Sequence, residues 1–150
     1  RGLRQKGLSV VLAPGVFHGI HDETLDYLIG AKGTKHVLLA GVESDDSAHL
    51  IKAEEYGPIE PQQKRVHTVA GLAPVDFAFG FHDRPYGKVG YARLIERYRE
   101  LNPSALAISD WDPNCDCLQW VATQSGIETI LVPFIQRAES TSWLHHYGHV

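Results

Sequence analysis

Between residues 9 and 43 the chain places an apolar run, a glycine-bearing loop, a helical stretch and a second apolar run in succession. The first run, Val10-Val11-Leu12-Ala13, is bounded by Pro14 and Gly15. Its lack of polar alternation reads as a strand covered on both faces, predicted over residues 9–13. Thr24, Leu25, Leu28 and Ile29 then fall at the spacing of one helix face, which predicts a helix over 22–33. Asp22 or Thr24 suits its cap, and Gly30 and Gly33 lie where helix ends favour glycine. Residues 35–43 form a second buried strand. Strand, helix, strand at this spacing implies a right-handed crossover and a parallel sheet. A ligand crevice is then expected where the first strand hands over to its helix, whose first-turn N–H groups favour anions.

The same alternation continues. Ser44-Asp45-Asp46-Ser47 can cap a helix over 47–55, and Pro58 and Pro61 mark a break. Pro61 suits the first position of a helix carrying Val66, Val69, Ala70 and Leu72. A third strand is predicted over 75–81, a loop over 82–90, and an amphipathic helix over 91–102 with Tyr91, Leu94, Ile95 and Tyr98 on one side. A strand over 104–108, a helix over 116–126 and a strand over 128–134 follow, with Pro133 marking that strand's end or an edge. Ser140 opens a final short helix. Five strands alternating with helices predict an α/β fold: a doubly wound, Rossmann-like, parallel five-stranded sheet. Residues 1–7 read as an N-terminal arm or linker end, and 8–150 as one domain.

Composition narrows the function classes. The net charge of −4 leaves no broad basic surface for nucleic acid. No apolar stretch reaches the roughly 18 residues of a membrane span, and no signal-peptide pattern opens the chain. It begins at Arg1 and holds no methionine, which reads as a processed chain or a piece of a larger one. Cys115 and Cys117 are too close for an easy bridge, so two unpaired thiols in a reducing, cytoplasmic compartment are expected. Neither G-x-G-x-x-G nor G-x-x-x-x-G-K-[ST] occurs. The histidine-bearing loop is what remains for phosphate.

That loop, with Gly15, Val16, Phe17, His18, His21, Glu23 and Thr24, resembles the G-x-F-D-x-x-H-x-G-H signature of the cytidylyltransferase-like nucleotidyltransferases. The glycine, the phenylalanine and the first histidine match. His18 stands for the aspartate, Glu23 for the second glycine and Thr24 for the second histidine. Further segments fall in the family's order. Ala40-Gly-Val-Glu-Ser-Asp-Asp-Ser47 is similar to A-V-x-S-D-x-S. Pro58-Ile-Glu-Pro61 with Arg65 is similar to R-P-x-x-P-x-x-x-R, although Gly57 replaces the first arginine. Val75-Asp76 matches V-D, and Gln136 to Ser142 looks like the S-T-T or S-T-S motif of the last helix. The nearest subgroup acts on glycerol phosphate, sugar phosphates such as heptose phosphate, or phosphoethanolamine.

The resemblance implies transfer of CMP or AMP from CTP or ATP to a small phosphorylated alcohol or sugar, with pyrophosphate leaving and Mg2+ bridging the phosphates. It implies His21, Thr24, His18 and Lys52 as catalytic residues. Gly15, Val16, Phe17, Asp110, Trp111, Arg137, Ser140, Thr141 and Ser142 would bind the nucleotide, and Arg65 and Asp45 the second substrate. No residue is assigned as a metal ligand. A homodimer is implied, since homodimers are common in the family. The rival expectation is a catalytically lapsed domain with a nucleotide-binding, regulatory or oligomerisation role in a larger protein. A third is metal binding by His145, His146 and His149, which otherwise form a solvated tail. Lys52 and Arg65 also read as ordinary surface charges.

Overall fold

The computed structural model describes residues 2–46, 48, 59–81, 87–110, 112 and 115–133, with backbone alone at 87–91. The expected helix over 47–55 lies almost wholly outside this set, and the last helix and the histidine tail lie entirely outside it. The described elements are α1 (Gly2–Gln5), β1 (Val10–Gly15), α2 (Asp22–Lys32), β2 (Val37–Val42), α3 (Gln62–Ala70), β3 (Phe77–Gly80), α4 (Gly87–Leu101), β4 (Ala105–Ser109), α5 (Cys115–Ser125) and β5 (Glu128–Val132). Every strand pairing is parallel, in the order β3-β2-β1-β4-β5. This is the predicted doubly wound sheet.

Side-chain alternation divides the core between the two faces of the sheet. Val11, Ala13, Ala105 and Ala107 join Leu28 and Ala31 of α2 and Val69 of α3. Leu12, Leu106 and Ile108 join Leu94 and Tyr98 of α4 and Val121 and Ala122 of α5. Small residues at 13, 105 and 107 let α2 approach closely. Gly30 does the same at β5, where a Cβ would lie 2.9 Å from Val132 Cγ1.

Four local expectations change. The helix expected at Tyr91 begins at Gly87. Glycine weakens a helix by only about 1 kcal/mol, which tertiary packing outweighs. Pro61 is the N-cap of α3 rather than its first helical residue, with extended ψ of 148°. Pro14 lies inside β1 rather than beyond it. The N-terminal stretch forms a short helix fastened to the body: Arg4 donates to both oxygens of Asn102 at 3.2 and 2.9 Å and to the Pro103 carbonyl at 3.3 Å. Pro133 follows β5, an edge strand, as its lack of an amide predicts.

Candidate active site

All five strands point their carboxyl ends the same way, and β1 sits between β2 and β4. From β1 the chain leads on one side to α2 and β2, while β4 on its other side is reached only after β3 and α4. The crevice at that divide is where α/β sheets bind ligands. Residues 16–21 connect β1 to α2 at this end of the sheet. Gly15 is glycine because Phe17 folds back beneath it: a Cβ at position 15 would lie 3.0 Å from the Phe17 ring. Phe17 is buried and held at φ 55°, a left-handed conformation costly to a side-chain-bearing residue. Gly19, at φ 68°, makes the turn that returns the chain to α2.

His21 is the N-cap of α2, in extended conformation at φ −114° and ψ 173°. The expected caps, Asp22 and Thr24, are instead helical residues. The His21 side chain makes no capping bond, and its carbonyl accepts from the amides of Thr24 and Leu25 at 3.0 and 3.2 Å. Its imidazole lies over Gly19, with Nε2 3.5 Å from where a Cβ would stand. Nδ1 is enclosed and meets no hydrogen-bond partner among the described residues. Burying such an atom costs free energy until something bonds it. His18 and Thr24 are half-buried in the same loop and first helical turn, as is Glu23 in the glycine's place.

Arg65 is almost wholly buried, at 1% exposure. Its Nε donates to the Glu60 carbonyl at 2.8 Å. One terminal nitrogen donates to the carbonyls of Val16 at 2.8 Å and Glu43 at 3.0 Å. The other meets Asp45 Oδ1 at 2.8 Å. This removes the surface-charge reading. It also bonds Arg65 to Asp45, the two residues expected at the second substrate. The guanidinium braces the exits of β1 and β2. Beside it, Gln62 Nε2 donates to the carbonyls of Val42 at 3.0 Å and Phe81 at 2.6 Å, tying the ends of β2 and β3. Asp110 leaves β4 at the same end of the sheet, exposed, its amide bonded to Val132 O at 3.0 Å. Lys52, Trp111, Arg137, Ser140, Thr141 and Ser142 lie outside the described residues.

Two structuring residues escape a reading of the sequence. Gln62 looks like any helix-start polar residue. Tyr27 has an aromatic ring at an inner helix position, which the pattern assigns to packing. Its hydroxyl instead reaches Pro14 O at 3.0 Å and Ala107 O at 3.3 Å. Burial first, then the nearby Tyr98, Asp112 and Glu43, push this phenol far above its ordinary range, so it remains a donor.

No family model matches the chain. Two solved structures share the fold. A lipopolysaccharide core biosynthesis protein from Thermoplasma volcanium superposes with a TM-score of 0.66 at 23% identity, covering 87% of this chain and 99% of that one. A pantoate-beta-alanine ligase from Francisella tularensis, complexed with beta-gamma ATP and beta-alanine, gives 0.62 at 12% identity over 88% and 61%. In sequence, a bifunctional protein HldE from Nitratiruptor is 36% identical over 87 residues, 57% of this chain and 19% of the relative. That from Nitrobacter winogradskyi is 27% identical over 147 residues, 97% of this chain and 28% of the relative. Over these stretches the chain is similar to part of the HldE proteins. It spans a fifth to a little over a quarter of the length of these two HldE relatives. The alignment with the second carries the likeness past the loop and across nearly the whole chain.

Proposed function

We propose that this chain is a nucleotidyltransferase domain that moves AMP or CMP from ATP or CTP to a small phosphorylated alcohol or sugar. The HldE likeness favours ATP and a sugar phosphate of the heptose type. A phosphate oxygen of the acceptor attacks the α-phosphorus, the α–β bridging bond breaks, and pyrophosphate leaves with its electron pair. Such transfers ask the protein for positioning and charge neutralisation rather than covalent chemistry. The observation that carries the reading is the imidazole of His21 at the switch point, its enclosed Nδ1 without a partner among the described residues. His21 would donate to the phosphates, with His18 and Thr24 beside it. Lys52, Arg137 and the residues 140–142 would supply further contacts, and Asp110 and Trp111 would meet the nucleoside.

Among the described residues no group of three or more His, Cys, Asp or Glu is placed to hold a metal ion. Mg2+ enters this proposal only as part of the nucleotide substrate. Homodimerisation, a cytoplasmic location and a place in a larger chain belong to the same proposal. Among the described residues no helix is long and apolar enough to cross a membrane.

Pyrophosphate release, measured with ATP and CTP over a panel of sugar and polyol phosphates, tests the reading. Turnover is expected, and His21→Ala should lower it by about 10²–10³-fold, the typical loss of one transition-state donor. A lapsed domain is the second reading, favoured by Thr24 and Glu23 in the places of the family's histidine and glycine. A threonine hydroxyl donates but carries no charge. The absence of both turnover and a thermal shift with any nucleoside triphosphate would decide for it.

A further inference from the structure

The ladder between β1 and β4 stops early. It pairs Val11 with Ala105 and Leu12 with Leu106, whereas β1 and β2 stay paired as far as Gly15 and Val42. Extending the β1–β4 register by two residues sets Pro14 beside Ile108. In a parallel ladder the amide of residue 14 would then donate to the carbonyl of Ala107, and the amide of residue 109 to the carbonyl of residue 14. Proline has no amide to give. Its place in the chain therefore ends the ladder at the switch point and strips Ala107 O of its donor. A buried carbonyl left so is costly. The hydroxyl of Tyr27 comes to the two carbonyls that the break separates, 3.0 Å from Pro14 O and 3.3 Å from Ala107 O.

We infer that Tyr27 is a positioning residue of the crevice: its phenol replaces the amide that Pro14 lacks and sets how far β1 and β4 part beneath the loop of residues 15–21. The proline opens the strands and the tyrosine holds the opening at a fixed width. That the opening receives a nucleotide rests on the function proposed above; the strand geometry does not. Because the phenol is held protonated by its burial, the bridge persists across the working pH range.

The test is a double-mutant cycle on the full chain, with Tyr27→Phe, Pro14→Ala and the pair, read by thermal unfolding and amide exchange. Tyr27→Phe keeps the ring and removes the donor, and should lower Tm by several degrees. Adding Pro14→Ala restores an amide at position 14. In the Tyr27→Phe background that amide should bond Ala107 O, exchange at least about tenfold more slowly than beside Tyr27, and recover much of the lost Tm. Losses that simply add, with the new amide equally unprotected in both backgrounds, would overturn the inference. A third readout separates positioning from bulk stability. If the wild type shows an ATP- or CTP-induced thermal shift, the double variant should regain Tm but not the shift, because its strands have zipped closed; a shift fully restored with Tm would also overturn it. If the wild type shows no shift with any triphosphate, the functional proposal fails, and the cycle and the exchange data decide the role of Tyr27 alone.

Discussion

Arg65 shows how much one side chain can decide. Its four N–H···O contacts go to oxygens of four residues from three places in the chain. Arg65→Ala should cost about 3 kcal/mol in urea unfolding, since each buried carbonyl left without its donor loses about 1–3 kcal/mol. Arg65→Lys should recover only part, as an ammonium cannot reproduce the planar fork. The partner Asp45 is half exposed, so Asp45→Ala should cost far less, about 0–1 kcal/mol. Asp76 gives a pH-dependent case. Burial alone would raise its carboxyl; the Leu38 amide at 2.8 Å and Lys32 Nζ at 2.9 Å offset this and leave it below its ordinary range. A depressed folded value means stability that is present above about pH 4 and is lost as pH falls through the folded value. With a side chain 36% exposed, the contribution is discounted to about 1 kcal/mol. Asp76→Asn should therefore be less stable than wild type at pH 7, and the two should converge on acidification, as read by denaturant midpoints. None of these residue-scale roles is legible in the sequence. Val75-Asp76 stands out there as a motif and Arg65 as a candidate, but which oxygens a side chain meets depends on segments far away in the chain.

Elements are more legible, and for a stated reason. Strands buried on both faces must be apolar throughout, so β1, β2 and β4 announce themselves as unbroken runs, and the helices between them by their spacing. Boundaries fail where a local rule meets tertiary packing, as with Gly87 inside α4 and Pro14 inside β1. Gly41 illustrates the packing constraint within an element. A Cβ there would come 2.3 Å from Cε2 of Phe81, a side chain 5% exposed. Gly41→Ala should cost about 1–3 kcal/mol through overpacking, seen as a lowered Tm. Phe81→Leu in the same background should return part of it, so that the two losses are less than additive. The loop glycine behaves similarly: Gly15→Ala should displace Phe17 and weaken any nucleotide-induced thermal shift by more than it lowers Tm.

For the whole molecule, the two half-cores share one sheet and should not unfold apart. Leu28 and Leu106 are both fully buried, on opposite faces. Leu28→Ala and Leu106→Ala should each cost about 2–5 kcal/mol and leave a single transition, coincident by near- and far-ultraviolet circular dichroism. Two separate transitions in either variant would show that the faces fold independently. The order of strands and the crevice at the β1–β4 divide are legible at this scale, because alternation and crossover handedness leave few topologies. The occupancy of the crevice is not, since Thr24 and Glu23 depart from the pattern that the rest of the loop follows. The brace under the loop has a bearing on assembly. The oxygens that Arg65 gathers belong to residues 16, 43, 45 and 60, all upstream of it. The start of α3 is therefore the last of these segments to be synthesised, and until it arrives the rim of the crevice lacks its brace. That rim takes its final shape when the start of α3 docks and a single guanidinium draws the exits of β1 and β2 together.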